Sequence, residues 1–393
     1  MKLRRLLPVI TVAALCGALC GCGDGSAQNG AARGGGEGAG GDILVGVIHP
    51  LSGPLAPYGK ASLAGVQMRV DEINAAGGIG GRRIRLLVED EKGDSTAAEN
   101  AFNKLGGSDR VAAMVIPVTS TNALAVRKAA RKLGIPSISP TATNDKVTVD
   151  NEYMFRACFN DSFQGRIVAG YAFRDLGIKT AAVFKDLNSD YSKGLSASFT
   201  KCFEELGGKV VAEESYQQGD TDFGAQLKKI KESGAGLLFV PGYPPEVPLV
   251  IKQARALGLE ARLCGADGWD NDAVINGSGD GAAGCFLVGA FSREDSRPAV
   301  KRFVEAFTRR GGAAPGTFEA LGYDSMSLLA EAMKKGTTSA AIREGLAGVK
   351  GFEAVTGTIT IDPAGDAVKG AVILDIQKDG DRFATKYKAT VNP

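Results

Sequence analysis

The chain has 393 residues, with 46 basic against 44 acidic side chains, one histidine and seven cysteines. It exceeds the roughly 250 to 300 residues at which a single hydrophobic core stops growing, which sets two domains as the expectation. The near-zero charge, spread without a block of like-charged residues, excludes the electrostatic footprint of nucleic-acid binding or polybasic adhesion to lipid, and 44% hydrophobic content excludes a disordered chain.

At the N-terminus, Lys2, Arg4 and Arg5 precede an apolar stretch from Leu6 to Leu19. This is the pattern of a secretory signal and is too short for a membrane span. Leu19-Cys20-Gly21-Cys22 resembles a bacterial lipobox, with Leu at −3, a small residue at −1 and Cys22 as the acylated residue. Cys16 and Cys20 fit less well, because each follows a leucine. Residues 1–21 are thus expected as signal peptide, and their removal leaves 43 basic against 44 acidic side chains. Residues 22–41 read as a tether, with nine glycines among positions 23–41; a coil of that length spans about 24 Å. The covalent lipid would hold the folded part near a membrane surface.

From Asp42 onward, short β-branched runs alternate with amphipathic stretches, the signature of βαβ units on parallel sheets. Ile43 to His49 is the first strand. His49 closes an apolar run and reads as structural, not as a metal ligand or base. A helix over Lys60 to Asn74 ends in Gly77-Gly78-Ile79-Gly80-Gly81. Further strands are predicted at 84–88, 112–116, 135–139, 181–185, 210–214, 237–240, 263–265 and 286–291, with helices between them. Helices over Pro298 to Arg309 and Ala320 to Lys335 precede a change of period. Thr356 to Ile361 and Ala371 to Ile376 alternate, with turns at 363–366 and 378–381, which reads as β-hairpin material closing the fold.

Enzyme motifs find no support. The Gly77–Gly81 cluster lies before a strand, whereas a phosphate-cradling loop follows one and opens a helix. Ser198-Phe199-Thr200-Lys201 matches a Ser-x-x-Lys pattern, but the companion Ser189-Asp190 precedes it and no Lys-Thr-Gly occurs. No cofactor or metal motif is present. In an exported protein, Cys158, Cys202, Cys264 and Cys285 are able to form disulfides. Pairing Cys158 with Cys202 and Cys264 with Cys285 joins elements expected to be neighbours; the alternative is four buried free thiols.

Ligands of open α/β sheets bind at the C-terminal ends of the strands. Four such loops are unusual: 51–59, 117–122, 140–144 and 266–269. The second and third place Ser and Thr hydroxyls where strands hand over to helices, whose unpaired N–H groups favour a carboxylate. Each hydroxyl taken alone reads first as an N-cap. Asp267 offers the opposite charge for an ammonium group, or caps a helix.

Together these segments resemble the periplasmic leucine/isoleucine/valine-binding protein family, the receptors of branched-chain amino-acid ABC importers. The resemblance runs from about Asp42 to Lys388. It rests on Leu51-Ser52-Gly53-Pro54 with Tyr58-Gly59, the stretch Asp71 to Ile79, Ser137-Ile138-Ser139-Pro140, Phe155-Arg156, Gln164-Gly165, Asp190-Tyr191 with Gly194-Leu195, Gly242-Tyr243, Gln253-Ala254-Arg255 with Gly258-Leu259, and Tyr323-Asp324.

The resemblance implies a type I periplasmic-binding-protein fold: two doubly wound parallel-sheet lobes joined by three crossovers and closing on a ligand. Lobe 1 would take residues 42–159 and 291–369, and lobe 2 residues 160–290 and 370–393. Ser120, Thr141 and Thr143 would bind the α-carboxylate and part of the ammonium. Asp267 would take the ammonium, where leucine-binding members carry Glu. Tyr58, Val118, Tyr191, Tyr243, Trp269 and Phe318 would wall the side-chain pocket, with Trp269 narrowing it. The family's lobe 1 disulfide is replaced here by Gly93 and Thr119. The implied protein is a monomeric, lipid-anchored receptor, not an enzyme. It would hand a hydrophobic amino acid to a permease driven by paired ATPases. An aryl or aliphatic carboxylate, an amide, or a sensory role is the alternative.

Overall fold

The computed structural model describes residues 41–311 and 314–393. The expected signal peptide, Cys22 and the tether up to Gly40 lie outside the described residues. The described residues from Gly41 onward form one compact unit. The first sheet contains β1 (Ile43–His49), β2 (Ile84–Asp90), β3 (Ala113–Val115), β4 (Ser137–Ser139) and β5 (Met154–Arg156). All are parallel, in the order β2-β1-β3-β4-β5. The helices α1 (Ala56–Ala75), α2 (Ser95–Asn103) and α3 (Ser120–Leu133) connect β1 through β4.

The chain then crosses into a second sheet through α4 (Asp161–Gly170). There β6 (Thr180–Asp186), β7 (Lys209–Tyr216), β8 (Leu237–Phe239), β9 (Arg262–Cys264) and β10 (Phe286–Gly289) alternate with α5 (Asp190–Glu205), α6 (Gly224–Glu232), α7 (Glu246–Ala256) and the short α8 (Asp272–Ile275). A second crossing leads to α9 (Pro298–Gly311), α10 (Thr317–Met333) and α11 (Ser339–Ala347), and to a small antiparallel sheet of β11 (Phe352–Ala354), β12 (Gly357–Ile361) and β13 (Ala367–Val368). A third crossing returns the chain to the second sheet. There β14 (Ala371–Asp379) pairs antiparallel with β10, and β15 (Arg382–Val391) closes the edge.

Alternation along the strands explains why both sheets are covered twice. Val45 and Val47 face α1 and α10, whereas Ile48 and Met114 face α2 and α3. In the second sheet Phe239 and Phe286 point one way, and Leu238 and Leu287 point to the other core. Helices α1 and α10 pack backbone to backbone through glycines. A Cβ on Gly322 would stand 2.1 Å from the Ser62 carbonyl oxygen, and one on Gly65 1.9 Å from that of Glu319.

The doubly wound parallel architecture expected from the sequence is the one observed. Helix α1 starts four residues earlier than its periodicity suggests, because Pro57 presets a helical φ in its first turn. Strand β15 escapes the apolar pattern. It is an edge strand carrying Lys386 and Lys388, which blunt an exposed edge instead of filling a core. His49 is buried. Its Nδ1–H donates to the Ile48 carbonyl (2.6 Å), its Nε2 lies 3.0 Å from Ser62 Oγ, and burial pushes it down to about 4, as befits a neutral structural imidazole.

All four described cysteines are free thiols, so the favoured pairing of Cys158 with Cys202 and of Cys264 with Cys285 is not formed. Cys264 lies level with Phe286, so Cys285, one residue earlier, points to the opposite face. Cys264 accordingly belongs to one core and Cys285 to the other. Cys158 is buried beneath the Ala142 carbonyl, whereas Cys202 lines a groove on α5 with Arg166 and Tyr171.

Candidate binding site

The C-terminal strand ends and the helix N-termini that follow them converge between the two sheets. Tyr58 is the third residue of α1, Ser120 the first of α3, Asp161 the first of α4, Tyr191 the second of α5 and Phe318 the second of α10. Thr141 and Thr143 follow β4, Tyr243 follows β8, and Asp267 opens a 3₁₀ turn after β9.

An apolar wall forms first. Leu55, Tyr58, Val118 and Phe318 make one buried cluster, with Ala61 and Tyr243 packed against it. The Tyr58 ring meets Phe318 edge-on at 4.5 Å and Tyr243 at 5.8 Å, and Tyr243 stacks on Tyr191 at 4.8 Å. Buried tyrosines need partners for their hydroxyls, and these reach across to the Asp267 turn. Tyr58 donates to the Gly268 carbonyl (2.7 Å), and Tyr191 donates to Asp267 Oδ1 (3.0 Å). Burial, reinforced by the Asp267 charge, holds all three phenols well above their ordinary value.

Asp267 is itself 5% exposed, and burial lifts it from 3.8 to about 6 against the hydrogen bonds of Tyr191 and Gln164. It therefore stays ionised near neutral pH, an anion in a closed apolar cleft. The hydroxyls of the facing loops are differently committed. Thr141 Oγ1 donates to the Val118 carbonyl (2.7 Å), Ser120 Oγ accepts from the Asn144 amide (3.1 Å), and Thr143 is buried with its hydroxyl against the Asp161 carboxyl. Thr141 thus contributes geometry more than a free hydroxyl. Ser120, at the N-terminus of α3, keeps its proton to donate.

Two contacts tie the halves together at the rim. Thr121 Oγ1 accepts from the Asp190 amide (3.0 Å), and Asn144 Nδ2 donates to the Asp190 carbonyl (2.7 Å). Opposite α5, Asn144 packs so closely that a Cβ on Gly194 would lie 2.4 Å from its Nδ2.

Nine of the ten ligand-contact residues expected from the sequence line this region: Ser120, Thr141, Thr143, Asp267, Tyr58, Tyr191, Tyr243, Phe318 and Val118. Trp269 does not. It is fully buried in the second sheet's outer core, its indole lying flat over Gly265, and its Nε1 donates to the Val240 carbonyl (2.8 Å). A Cβ on Gly265 would stand 2.2 Å from the ring, so the missing side chain makes the indole's seat. The 3₁₀ turn, with three residues per turn, sends Asp267 to the cleft and Trp269 away from it. Trp269 therefore neither walls nor narrows the pocket. Asp161, Asn144 and Gln164 also reach this region; in the sequence Asn144 stands out only as the end of the 140–144 loop, Gln164 only as a motif marker, and Asp161 carries no signal beyond that of an acidic residue opening a helix. No described group of three His, Cys, Asp or Glu side chains is placed to hold a metal ion, and no described helix is long and apolar enough to cross a membrane.

Two parallel-sheet halves, three crossings and a cleft with hydroxyls on one side and a buried carboxylate on the other define a two-lobed solute-binding protein of the type I periplasmic-binding-protein fold. The chain belongs to the periplasmic binding protein family, whose sequence profile matches residues 42–381. The chain is 29% identical to a leucine-, isoleucine-, valine-, threonine- and alanine-binding protein of Pseudomonas aeruginosa, over 88% of this chain and 92% of that protein. A leucine-binding protein from Thermotoga maritima superposes with a TM-score of 0.85 at 30% identity, covering 89% of this chain and 99% of that one. A branched-chain amino-acid transporter substrate-binding protein from Streptococcus pneumoniae, solved with isoleucine, gives 0.82 at 35%, covering 88% and 99%.

Proposed function

We propose that this protein is the receptor of an ABC importer for branched-chain amino acids, capturing leucine, isoleucine or valine between lobes built from residues 42–159 with 291–369 and 160–290 with 370–393. The observation that carries this reading is the Asp267 carboxylate, buried and held by Tyr191 at the edge of the wall of Tyr58, Val118 and Phe318. A buried anion without a cationic side chain against it calls for a ligand cation, and the apolar wall calls for an aliphatic group beside that cation. The Ser120 hydroxyl and the N–H groups of α3 suit the carboxylate of the same molecule. The relatives named for leucine, isoleucine and valine support the assignment. Closure of the lobes delivers the ligand to a permease driven by ATPases. A diacylglycerol on Cys22 and the Gly-rich tether keep the monomeric receptor at the membrane.

The experiment is a thermal-shift screen of the purified protein against the twenty amino acids and a panel of aliphatic and aryl acids. A ligand at 100 times its dissociation constant stabilises by about 2.7 kcal/mol. Stabilisation by leucine, isoleucine or valine supports the assignment. Stabilisation only by acids lacking an amine overturns the role of Asp267 and moves the function to organic-acid uptake.

A further inference from the structure

The loop that carries Thr141 and Thr143 has no regular secondary structure, and its carbonyls converge on one side chain. Arg156, the last residue of β5, is fully buried. Its Nη1 donates to the Ala142 carbonyl (3.0 Å), and its Nη2 donates to the Asn144 carbonyl (2.9 Å) and to Thr148 Oγ1 (3.1 Å). Its Nε lies 2.7 Å from Oδ1 of Asp366, in the turn before β13. That carboxylate is shared. Oδ1 also accepts from Thr148 Oγ1 (2.6 Å), and Oδ2 accepts from Asn160 Nδ2 (2.8 Å). Asn160 caps α4, its Oδ1 accepting from the Phe163 amide (2.9 Å). The turn itself is seated on β5: the Arg156 amide donates to the Gly365 carbonyl (3.1 Å), and a Cβ on Gly365, whose φ is +90°, would stand 2.3 Å from the Met154 carbonyl oxygen. One guanidinium–carboxylate pair thus joins the cleft loop to the first crossing, at Asn160, and to the approach to the third, at Asp366.

We propose that Arg156 is a positioning residue for ligand binding: it holds the 140–145 loop in its cleft geometry, and Asp366 fixes the guanidinium and so couples that loop to the crossings on which closure turns. The inference rests on the receptor reading above and deepens it, since Arg156 acts through the loop and not on the ligand. A guanidinium offers five N–H groups in one fixed plane, so it holds carbonyls along one edge and a carboxylate along another; an ammonium offers three from a single point and cannot span both. Buried away from water, the pair keeps its strength only while both partners stand, because removing one leaves an uncompensated charge. Side chains that meet a ligand need their supporting layer to hold them to within about 0.5 Å, so loosening the loop costs affinity and not stability alone.

The test compares the purified wild type with Arg156→Lys and with the milder Asp366→Asn, well below each protein's thermal midpoint, by leucine titration and by hydrogen–deuterium exchange of the ligand-free protein. Arg156→Lys should weaken leucine binding by about tenfold or more, and Asp366→Asn by a few-fold. Amide exchange over 140–148 should quicken by about tenfold in Arg156→Lys, while exchange in β6 to β9 stays at the wild-type rate. A lowered midpoint with wild-type leucine affinity, or with exchange quickened evenly across both sheets, makes Arg156 merely structural and overturns the proposal. If Arg156→Lys does not fold, Asp366→Asn decides: weaker leucine binding with faster exchange confined to 140–148 supports the proposal, and wild-type values of both overturn it. A wild type that binds no amino acid overturns the receptor reading, and unchanged exchange over 140–148 overturns this one separately.

Discussion

Replacing Asp267 with Asn keeps its size and removes its charge, and the structure assigns opposite signs to the effects on stability and on binding. The folded-state carboxyl is raised from 3.8 to about 6, so the folded protein holds this proton more tightly than the unfolded chain does. The cost of burying the anion is absent below the unfolded value and is felt in full above about 6. That rise corresponds to about 3 kcal/mol. Asp267→Asn should therefore raise the thermal midpoint of the ligand-free protein at pH 7.5, by roughly 4 °C for a folded unit of this size. The gain should fade as pH falls from 6 toward 4. Leucine affinity should move the other way. Losing one partner of a buried charge pair costs about 2 to 5 kcal/mol, or roughly 30-fold and upward in dissociation constant. Differential scanning calorimetry at two pH values and titration with leucine read both quantities. A lower midpoint at pH 7.5, or unchanged leucine affinity, would refute the argument that this carboxylate is an uncompensated anion awaiting a cation.

Gly194→Ala adds a favourable helix residue to α5 but puts a Cβ 2.4 Å from Asn144 Nδ2 in the closed cleft. Leucine affinity should fall about tenfold while the ligand-free midpoint stays within a few degrees; equal affinity in a titration would show that the rim contacts at Asp190 do not govern closure. Alkylation in denaturant followed by mass spectrometry should label Cys158, Cys202, Cys264 and Cys285 without prior reduction. Under native conditions only the half-buried Cys202 should react, and a 2 Da mass deficit per pair would reinstate a disulfide. Cys22→Ser should move the protein from the membrane to the soluble fraction on cell fractionation, and continued sedimentation with membranes would refute acylation there.

Much of this protein follows from local rules. Runs such as Ile43 to Ile48, followed by a helix whose small and apolar residues share a face, can only become parallel strands covered on both sides. A strand buried twice needs apolar residues at every position, and parallel neighbours need a helical crossover. Hydroxyls at 120, 141 and 143 and an aspartate just after a strand were legible as candidates because strand ends and helix N-termini present polar groups to the same edge of a sheet, whereas Tyr191, Tyr243 and Phe318 entered only through the family resemblance.

The remainder depended on direction and distance in space. Trp269 stands two residues from Asp267 along the chain, yet the 3₁₀ turn and the bare Gly265 send its indole into the opposite core. Cys264 and Cys285 come from adjacent strands, and the pleat puts their thiols on opposite faces. Asp161 looks in sequence like an acidic first residue of a helix. Gln164, one turn further along the same helix, reaches the Asp267 amide only because the turn after β9 folds against the start of α4. Periodicity records which face of an element is dry; it does not record what stands opposite, and that opposition decides whether a carboxyl caps a helix or waits for a ligand.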